Sequence, residues 1–326
     1  MTELDRKGSE AARAAWLYYH EDLNQGEVAR EMSISRSTVT RLLQRAKNEG
    51  LVQISLNVST ATFKAERDLE RAYGVKKVRI VPVSSDDATQ KRWLGLVAAE
   101  SLVEMATEGS IMAVSWGTTL QALADALVGE RPVAGAQIVA LVGGLHNATR
   151  GTNTYEVARR LGQFFNAPVL ALHAPVYVQD EATAIGLASD PGIQEVLELA
   201  RKSSIAIFSL GGMHPETTMF KLGYITPEQE QFLREHGAVA DLACRWIDRA
   251  GEPVVMPSSI NPIAISLDDF KKIPQRLAIG CGESKHEAIL AGLRGGFITD
   301  LVTDEHTAAY LLDPFRQNDE SKPGRG

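Results

Sequence analysis

Cysteine is scarce in this chain of 326 residues, which contains only Cys244 and Cys281. Two cysteines do not make the disulfide framework of a small secreted domain, so we expect the protein to work in a reducing cytoplasm. Long apolar runs are also missing, and the first ten residues are polar and charged, so the sequence predicts no membrane span and no secretory leader. No histidine stands at metal-ligand spacing from cysteine, histidine or carboxylate residues, so we expect no metal ion.

Charge is distributed unevenly along the chain. The net charge is −7, yet residues 1–56 contain eight basic and eight acidic residues, so the remainder carries the whole deficit. Between Arg36 and Lys47 there are four basic residues and no acidic residue. Because an acidic body repels nucleic acid, any contact with DNA is predicted to lie in the N-terminal segment.

Residues 25–46 have the spacing of two short helices divided by a turn. The apolar residues share one face in each helix: Val28, Ala29 and Met32 in the first, and Val39, Leu42 and Leu43 in the second. Ser35 is placed to cap the second helix, and a preceding helix over 10–20 would complete a three-helix unit. The pattern predicts a DNA-binding helix-turn-helix, with an ordinary helical hairpin bearing a solvated basic face as the alternative.

The second of these helices would enter the major groove of double-stranded operator DNA. Its short polar and basic side chains are expected to contact base edges or phosphates: Ser35, Arg36, Ser37, Thr38, Thr40 and Arg41, with Arg45 and Lys47 as phosphate anchors. Residues 51–56 alternate apolar and polar side chains, which predicts a short strand. This strand is either a wing beside the groove, as in a winged helix, or a lead into a linker.

Beyond a junction near residues 57–63, short apolar strands alternate with glycine-containing loops and helices. We predict strands over 77–83, 110–114, 137–141, 169–172, 204–209, 276–279 and 297–302, and helices over 88–107, 120–127, 154–165, 286–293 and 305–312. This alternation predicts an α/β domain with a largely parallel, Rossmann-like sheet. The predicted domains are therefore a head over 1–56, an α/β domain over 57–314 and a flexible tail over 315–326.

Two loops in the α/β domain are suited to holding an anion. Residues 115–119 and residues 280–285 each lie between a strand and a helix, and the second adds Lys285. Neither matches a Walker A motif or a complete dinucleotide fingerprint, so no nucleotide cofactor is expected. A structural turn is the alternative for either loop alone, but together they predict a phosphate or polyol site.

Motifs along almost the whole chain resemble those of the SorC family of bacterial transcriptional regulators, the sugar-binding relatives of DeoR. The matching segments are 14–19, 115–119, 142–144, 155–160, 174–176, 237–242, 280–289 and 295–304. The resemblance implies a repressor or activator whose second domain shares the fold of sugar-phosphate isomerases and glucosamine-phosphate deaminases but serves as a sensor. It also implies a dimer or tetramer that responds to a sugar, a sugar phosphate or a polyol.

The same resemblance assigns effector-binding positions in this sequence. It places Gly117, Thr118, Thr119 and Lys285 on a phosphate, Asp241 on effector hydroxyls, and Gly143, Gly144, Gly211 and Gly212 in loops lining the same pocket. Residue chemistry adds that a carboxylate such as Asp241 accepts from vicinal hydroxyls and that Asn147 or Arg150 could donate to ligand oxygens. A helix-end or salt-bridged carboxylate is the alternative for Asp241.

The sequence thus predicts a regulator of a carbohydrate or polyol catabolic operon that is not an enzyme. The rival hypothesis is an active sugar-phosphate isomerase or deaminase with a DNA-binding head, in which Asp241 or Glu283 would move a proton. No second acid or base stands at a convincing spacing, and Cys281 lacks the surroundings of a nucleophile elbow. An architectural DNA protein without a ligand is disfavoured by the size of the acidic domain.

Overall fold

The structure, a computed structural model, describes residues 3–21, 23–48, 51–52, 60–144, 154–215 and 217–320. It divides into two compact units, Met1–Asn57 and Val58–Gly326. The smaller unit contains helices α1 (Glu3–Tyr19), α2 (Gln25–Glu31) and α3 (Arg36–Asn48).

The three helices of the smaller unit enclose one apolar core. Its members come from all three elements: Ala11, Ala14, Ala15 and Leu17 of α1, Val28 of α2, and Val39, Leu42, Leu43 and Ala46 of α3. Asn24 starts α2 through a capping box with Glu27. The predicted helix-turn-helix is confirmed. Of the strand predicted over 51–56, Leu51 and Val52 are not in a strand and the rest lies outside the described residues.

The larger unit alternates strands and helices. Its helices are α4 (Thr60–Tyr73), α5 (Asp87–Met105), α6 (Thr118–Ala126), α7 (Thr154–Phe165), α8 (Glu181–Ala188), α9 (Pro191–Arg201), α10 (Thr218–Lys221), α11 (Pro227–Glu235), α12 (Leu267–Lys272), α13 (His286–Arg294) and α14 (Glu305–Glu320). Its strands are β1 (Lys77–Val81), β2 (Ile111–Val114), β3 (Gln137–Ala140), β4 (Val169–Leu170), β5 (Tyr177–Val178), β6 (Ile205–Phe208), β7 (Gly211–Gly212), β8 (Ala240–Leu242), β9 (Arg245–Ile247), β10 (Asn261–Pro262), β11 (Gln275–Ile279) and β12 (Asp300–Asp304).

Within the described residues, seven strands form one parallel sheet in the order β1-β12-β11-β6-β2-β3-β4. Every residue of the central strand β6 is buried, so both faces of the sheet are covered, as parallel sheets require. The predicted parallel α/β fold is confirmed. Two small antiparallel sheets, β5 with β10 and β7-β8-β9, were not predicted, because strands of two or three residues are too short to show a period.

Several boundaries differ from the prediction, and two of these differences involve the C-terminal part of the chain. The last strand begins at Asp300 rather than Phe297, because Gly295 and Gly296 turn the chain and Phe297 packs into the core before pairing starts. Helix α14 continues to Glu320, well into the segment for which a flexible tail is predicted. The polar composition after Leu312 is therefore compatible with a helix as well as with a tail.

The open edge of β1 is closed by a helix. Glu70 and Glu66, on successive turns of α4, accept hydrogen bonds from the backbone N–H groups of Val78 (3.0 Å) and Ile80 (2.9 Å). These two backbone N–H groups are therefore already hydrogen-bonded to carboxylates and are not free to pair with another strand. This arrangement protects the sheet from edge-to-edge association.

Candidate functional site

A cavity of about 330 Å³ lies beyond the carboxyl ends of the central strands. Most of the lining comes from the segments directly after three strands: residues 115–119 after β2, residues 209–212 after β6, and Cys281, Ser284 and Lys285 after β11. Other elements contribute Asp87, Lys91, Leu94, His214, Thr217, Thr218, Met219, Lys221, Asp241, Ala243 and Trp246. Ligands of parallel α/β sheets bind at this edge because the loops there converge. The structure therefore brings both predicted anion loops into one cavity.

The first anion loop, residues 115–119, leads into the N-terminus of helix α6, and this N-terminus lines the cavity. Gly117 is the N-cap of α6, with φ 137° and ψ 156°, a conformation that only glycine adopts readily, and no side chain caps the helix there. The N–H groups of a first helical turn have no partner within the helix. The amides of Thr118 and Thr119 therefore point a positive dipole end toward the cavity.

The second anion loop supplies a cation. Lys285 Nζ donates a hydrogen bond to Ser209 Oγ at 2.7 Å, which joins the loop after β11 to the loop after β6. Burial, with a smaller contribution from the nearby ammonium of Lys91, lowers the pKa of Lys285 to about 8. Lys91 itself pairs with Asp87 at 2.6 Å. An anionic ligand would favour the charged form of Lys285 and so bind more tightly than a neutral one.

Asp241 lies on β8 and is only 7% exposed. Burial raises the pKa of its carboxyl group to about 7, although the backbone N–H of Cys244 lowers it in part. Its Oδ1 atom, like Thr217 Oγ1, is buried and has no hydrogen-bond partner among the described residues. The predicted alternatives, a helix-end or salt-bridged carboxylate, are wrong: the residue is in a strand and has no ion pair within the described part of the chain. Two polar atoms are thus available to a ligand.

The glycines assigned to the pocket divide into two groups. Gly211 and Gly212 form β7 in the lining, and a Cβ on Gly212 would lie 2.2 Å from Ser284 O, so this glycine lets the strand pack against the second anion loop. Gly143 and Gly144 are not in the lining. A Cβ on Gly143 would lie 2.6 Å from the carbonyl oxygen of Ala174, so close backbone packing explains this glycine. Asn147 and Arg150 lie outside the described residues.

Several lining residues were not predicted. Asp87 and Lys91 begin α5 after β1, and the rule that ligands bind beyond strand ends could have identified them. His214, Thr217 and Lys221 lie around the four-residue helix α10, whose sequence shows no periodicity. No pattern in the sequence places that segment over the cavity.

In the smaller unit, Ser35 caps α3 as predicted. Its Oγ accepts from the backbone N–H of Thr38 at 3.1 Å and lies 2.8 Å from the hydroxyl oxygens of both Ser37 and Thr38. Arg36 and Arg41 are exposed, whereas Arg45 is half-buried. The side chain of Lys47 lies outside the described residues. The exposed start of α3 therefore combines two arginines with short hydroxyl side chains.

None of the described helices combines the length and apolar composition of a membrane crossing. Among all the described residues, no group of three or more histidine, cysteine, aspartate or glutamate residues is arranged to hold a metal ion.

Comparison with known families gives the site its context. The Sugar-bind model, a sugar-binding domain, matches residues 58–313, and a MarR family model matches residues 7–57. The chain belongs to the sugar-binding, SorC-type family of transcriptional regulators. Its predicted membership is confirmed, and the helix-turn-helix and sugar-binding domain together make it a DNA-binding transcriptional regulator.

Individual relatives share this organisation along their whole length. The chain is 30% identical to the deoxyribonucleoside regulator of Bacillus subtilis over 95% of this chain and 99% of the relative. It is 28% identical to the transcriptional regulator LsrR of Escherichia coli K12, over 93% of this chain and 94% of LsrR. The crystal structure of the sorbitol operon regulator SorC from Klebsiella pneumoniae has the same fold, with a TM-score of 0.72 at 22% identity, covering 94% of this chain and 99% of that one.

Proposed function

We propose that the effector of this regulator is a phosphorylated sugar or polyol that binds in the cavity of the larger unit and changes the affinity of the smaller unit for operator DNA. One observation carries the proposal: a helix N-terminus, a half-buried lysine, and a buried carboxyl group with one oxygen that has no partner among the described residues line the same cavity. The first two groups suit an anion, and the third suits hydroxyl donors. A single ligand with both chemistries satisfies all three.

The phosphate end is assigned to the two anion loops. The amides of Gly117, Thr118 and Thr119 would donate to phosphate oxygens, and Lys285 would neutralise charge while Ser209 holds its ammonium. Lys91, already paired with Asp87, adds positive potential. The carbohydrate end is assigned to Asp241 and Thr217, because vicinal hydroxyl groups would match the oxygen of each that has no partner among the described residues.

Regulation follows if the effector binds two arrangements of a homo-oligomer with different affinity. We infer a dimer or tetramer in which only one arrangement spaces the helix-turn-helix units to match the operator half-sites. A repressor that releases DNA on effector binding is the simplest case. The relatives named for a sorbitol operon and for deoxyribonucleosides support a carbohydrate-type effector, because both names refer to polyhydroxylated compounds.

The cavity serves sensing rather than catalysis in this proposal. Burial raises the pKa of the Cys281 thiol to about 12, so it is not a thiolate nucleophile at neutral pH. Glu283, one of the two candidate acids or bases, does not line the cavity. Incubation with candidate sugar phosphates tests this point, since turnover would overturn the sensor assignment.

The decisive experiment compares matched ligands by thermal shift. A ligand that binds only the native state raises the free energy of unfolding by mass action, by about 2.7 kcal/mol at one hundred times its Kd, and the melting temperature rises with it. We expect stabilisation by a phosphorylated sugar or polyol and little from its unphosphorylated counterpart. The stabilisation should be lost in Lys285→Met and retained in Lys64→Met, an exposed control outside the cavity. Equal stabilisation by both ligands would overturn the phosphate assignment.

A further inference from the structure

The hydroxyl group of Thr40, in the exposed first half of α3, is already engaged inside the protein. Thr40 Oγ1 lies 3.2 Å from Gln25 Oε1 at the start of α2 and 3.1 Å from the carbonyl oxygen of Arg36 one turn earlier. A hydroxyl group has one proton to donate, and both of these acceptors belong to the protein. Thr40 would have to break these contacts before its hydroxyl could donate to a base.

The same geometry decides which part of Thr40 remains for DNA. Threonine carries only a hydroxyl and a methyl group on Cβ, and its χ1 rotation is restricted in a helix. With the hydroxyl held by Gln25 and the helix backbone, the γ-methyl group is the free branch of an exposed side chain. In the major groove, a threonine methyl makes apolar contact with the 5-methyl group of thymine.

The exposed side chains near Thr40 in α3 are polar or charged, so its methyl group differs from them chemically. The Ser37 and Thr38 hydroxyls are gathered around Ser35 at the helix cap. Arg36 and Arg41 are exposed, and their guanidinium groups make no hydrogen bond or ion pair with the described residues. Charged donors on either side thus flank one apolar group.

We propose that Thr40 reads a thymine in the operator through its γ-methyl group, and that Gln25 is the positioning residue that turns the hydroxyl away from the groove. The inference rests on the DNA-binding function of α3 and adds a base preference to it. It predicts that binding depends on the 5-methyl group of one thymine in each half-site.

Uracil substitution tests the proposal directly, because deoxyuridine pairs as thymine does but lacks the 5-methyl group. The full-length protein is first used to enrich binding sequences from a random duplex library. Each thymine of the enriched site is then replaced in turn by deoxyuridine, and affinities are measured at fixed salt. For the wild-type chain we expect one position per half-site at which uracil weakens binding about fourfold, the value for one buried methyl group.

Variants of Thr40 identify the reading group. Thr40→Val keeps a methyl branch and should retain the uracil penalty, whereas Thr40→Ser should lose it; Thr60→Ser, an exposed control on α4, should behave as wild type. Gln25→Ala should reduce the penalty, because the hydroxyl is released, and Gln25→Ala combined with Thr40→Val should restore it. This restoration separates positioning by Gln25 from a general loss of helix packing.

The outcomes distinguish this inference from the function on which it rests. If the wild-type protein enriches no duplex, both the DNA-binding function and the thymine contact are wrong. If it enriches a site but uracil has no effect there, or if Thr40→Ser keeps the full penalty, only the thymine contact is overturned. A Thr40→Val variant that loses the penalty would overturn the assignment of this contact to the γ-methyl group.

Discussion

Replacement of Asp241 by asparagine should stabilise the unliganded protein above neutral pH while abolishing its effector response. Asparagine keeps the shape and the hydrogen-bonding oxygen but removes the charge that burial disfavours. The folded-state pKa of about 7 stands above the ordinary value of 3.8, so the carboxyl group favours folding below pH 4 and loses that contribution as the pH rises to 7. Above pH 7 the buried charge is a net cost in the wild-type chain.

The magnitude follows from the size of the shift. A pKa displaced by about three units corresponds to about 4 kcal/mol, at 1.36 kcal/mol per unit, and relaxation around the carboxylate makes this an upper bound. We therefore expect Asp241→Asn to raise the free energy of unfolding by about 2–4 kcal/mol at pH 8 and to change it little at pH 4. Asp268→Asn, an exposed carboxylate on α12, is the matched control.

Urea unfolding measured at both pH values provides the assay. Trp116 and Trp246 line the cavity, so their fluorescence follows the unit that contains Asp241. A difference between variant and wild type that is the same at pH 4 and pH 8 would refute the reasoning, because a structural effect of the amide does not titrate. The effector response of the variant, measured by thermal shift, should be lost at both pH values.

Three further predictions concern other parts of the chain. Arg41→Ala should weaken operator binding by about 1–3 kcal/mol in a gel-shift assay and leave effector binding intact, and an unchanged affinity would remove Arg41 from the interface. Glu70→Ala should unpair the N–H of Val78 on the edge strand and increase self-association in sedimentation velocity, whereas unchanged sedimentation would show that the edge needs no such cover. Gly143→Ala should lower the melting temperature because its Cβ would lie 2.6 Å from a carbonyl oxygen, and an unchanged melting temperature would show that the backbone can yield there.

The sequence was sufficient for the large elements because their patterns are local. The helix-turn-helix depends on apolar spacing within about twenty residues and on the Ser35 cap, both of which the structure contains. The central strands β2 and β6 are apolar runs followed by loops, and so were visible in isolation. The edge of the sheet at which a ligand would bind then followed from the topology.

The finer features of the cavity depend on contacts that are distant in sequence. Asp241 and Lys285 reach one cavity only because β8 and the loop after β11 fold together, and residue spacing does not show this. Gly143 is a different case, since a glycine beside a predicted pocket can also be required by packing against Ala174. The burial that shifts the pKa of Asp241 is likewise a property of the folded core.

Three side chains of the cavity specify the chemistry of its ligand. Asp241 Oδ1 and Thr217 Oγ1 have no hydrogen-bond partner among the described residues, so they suit the hydroxyl groups of a ligand. Burial also works against the charge on Lys285, as its lowered pKa shows. A free polyol would satisfy the two oxygens but leave the lysine uncompensated, and inorganic phosphate would do the reverse. A sugar or polyol phosphate meets both requirements and loses its translational freedom only once, so it should stabilise the protein by more than the sum of its two parts added separately.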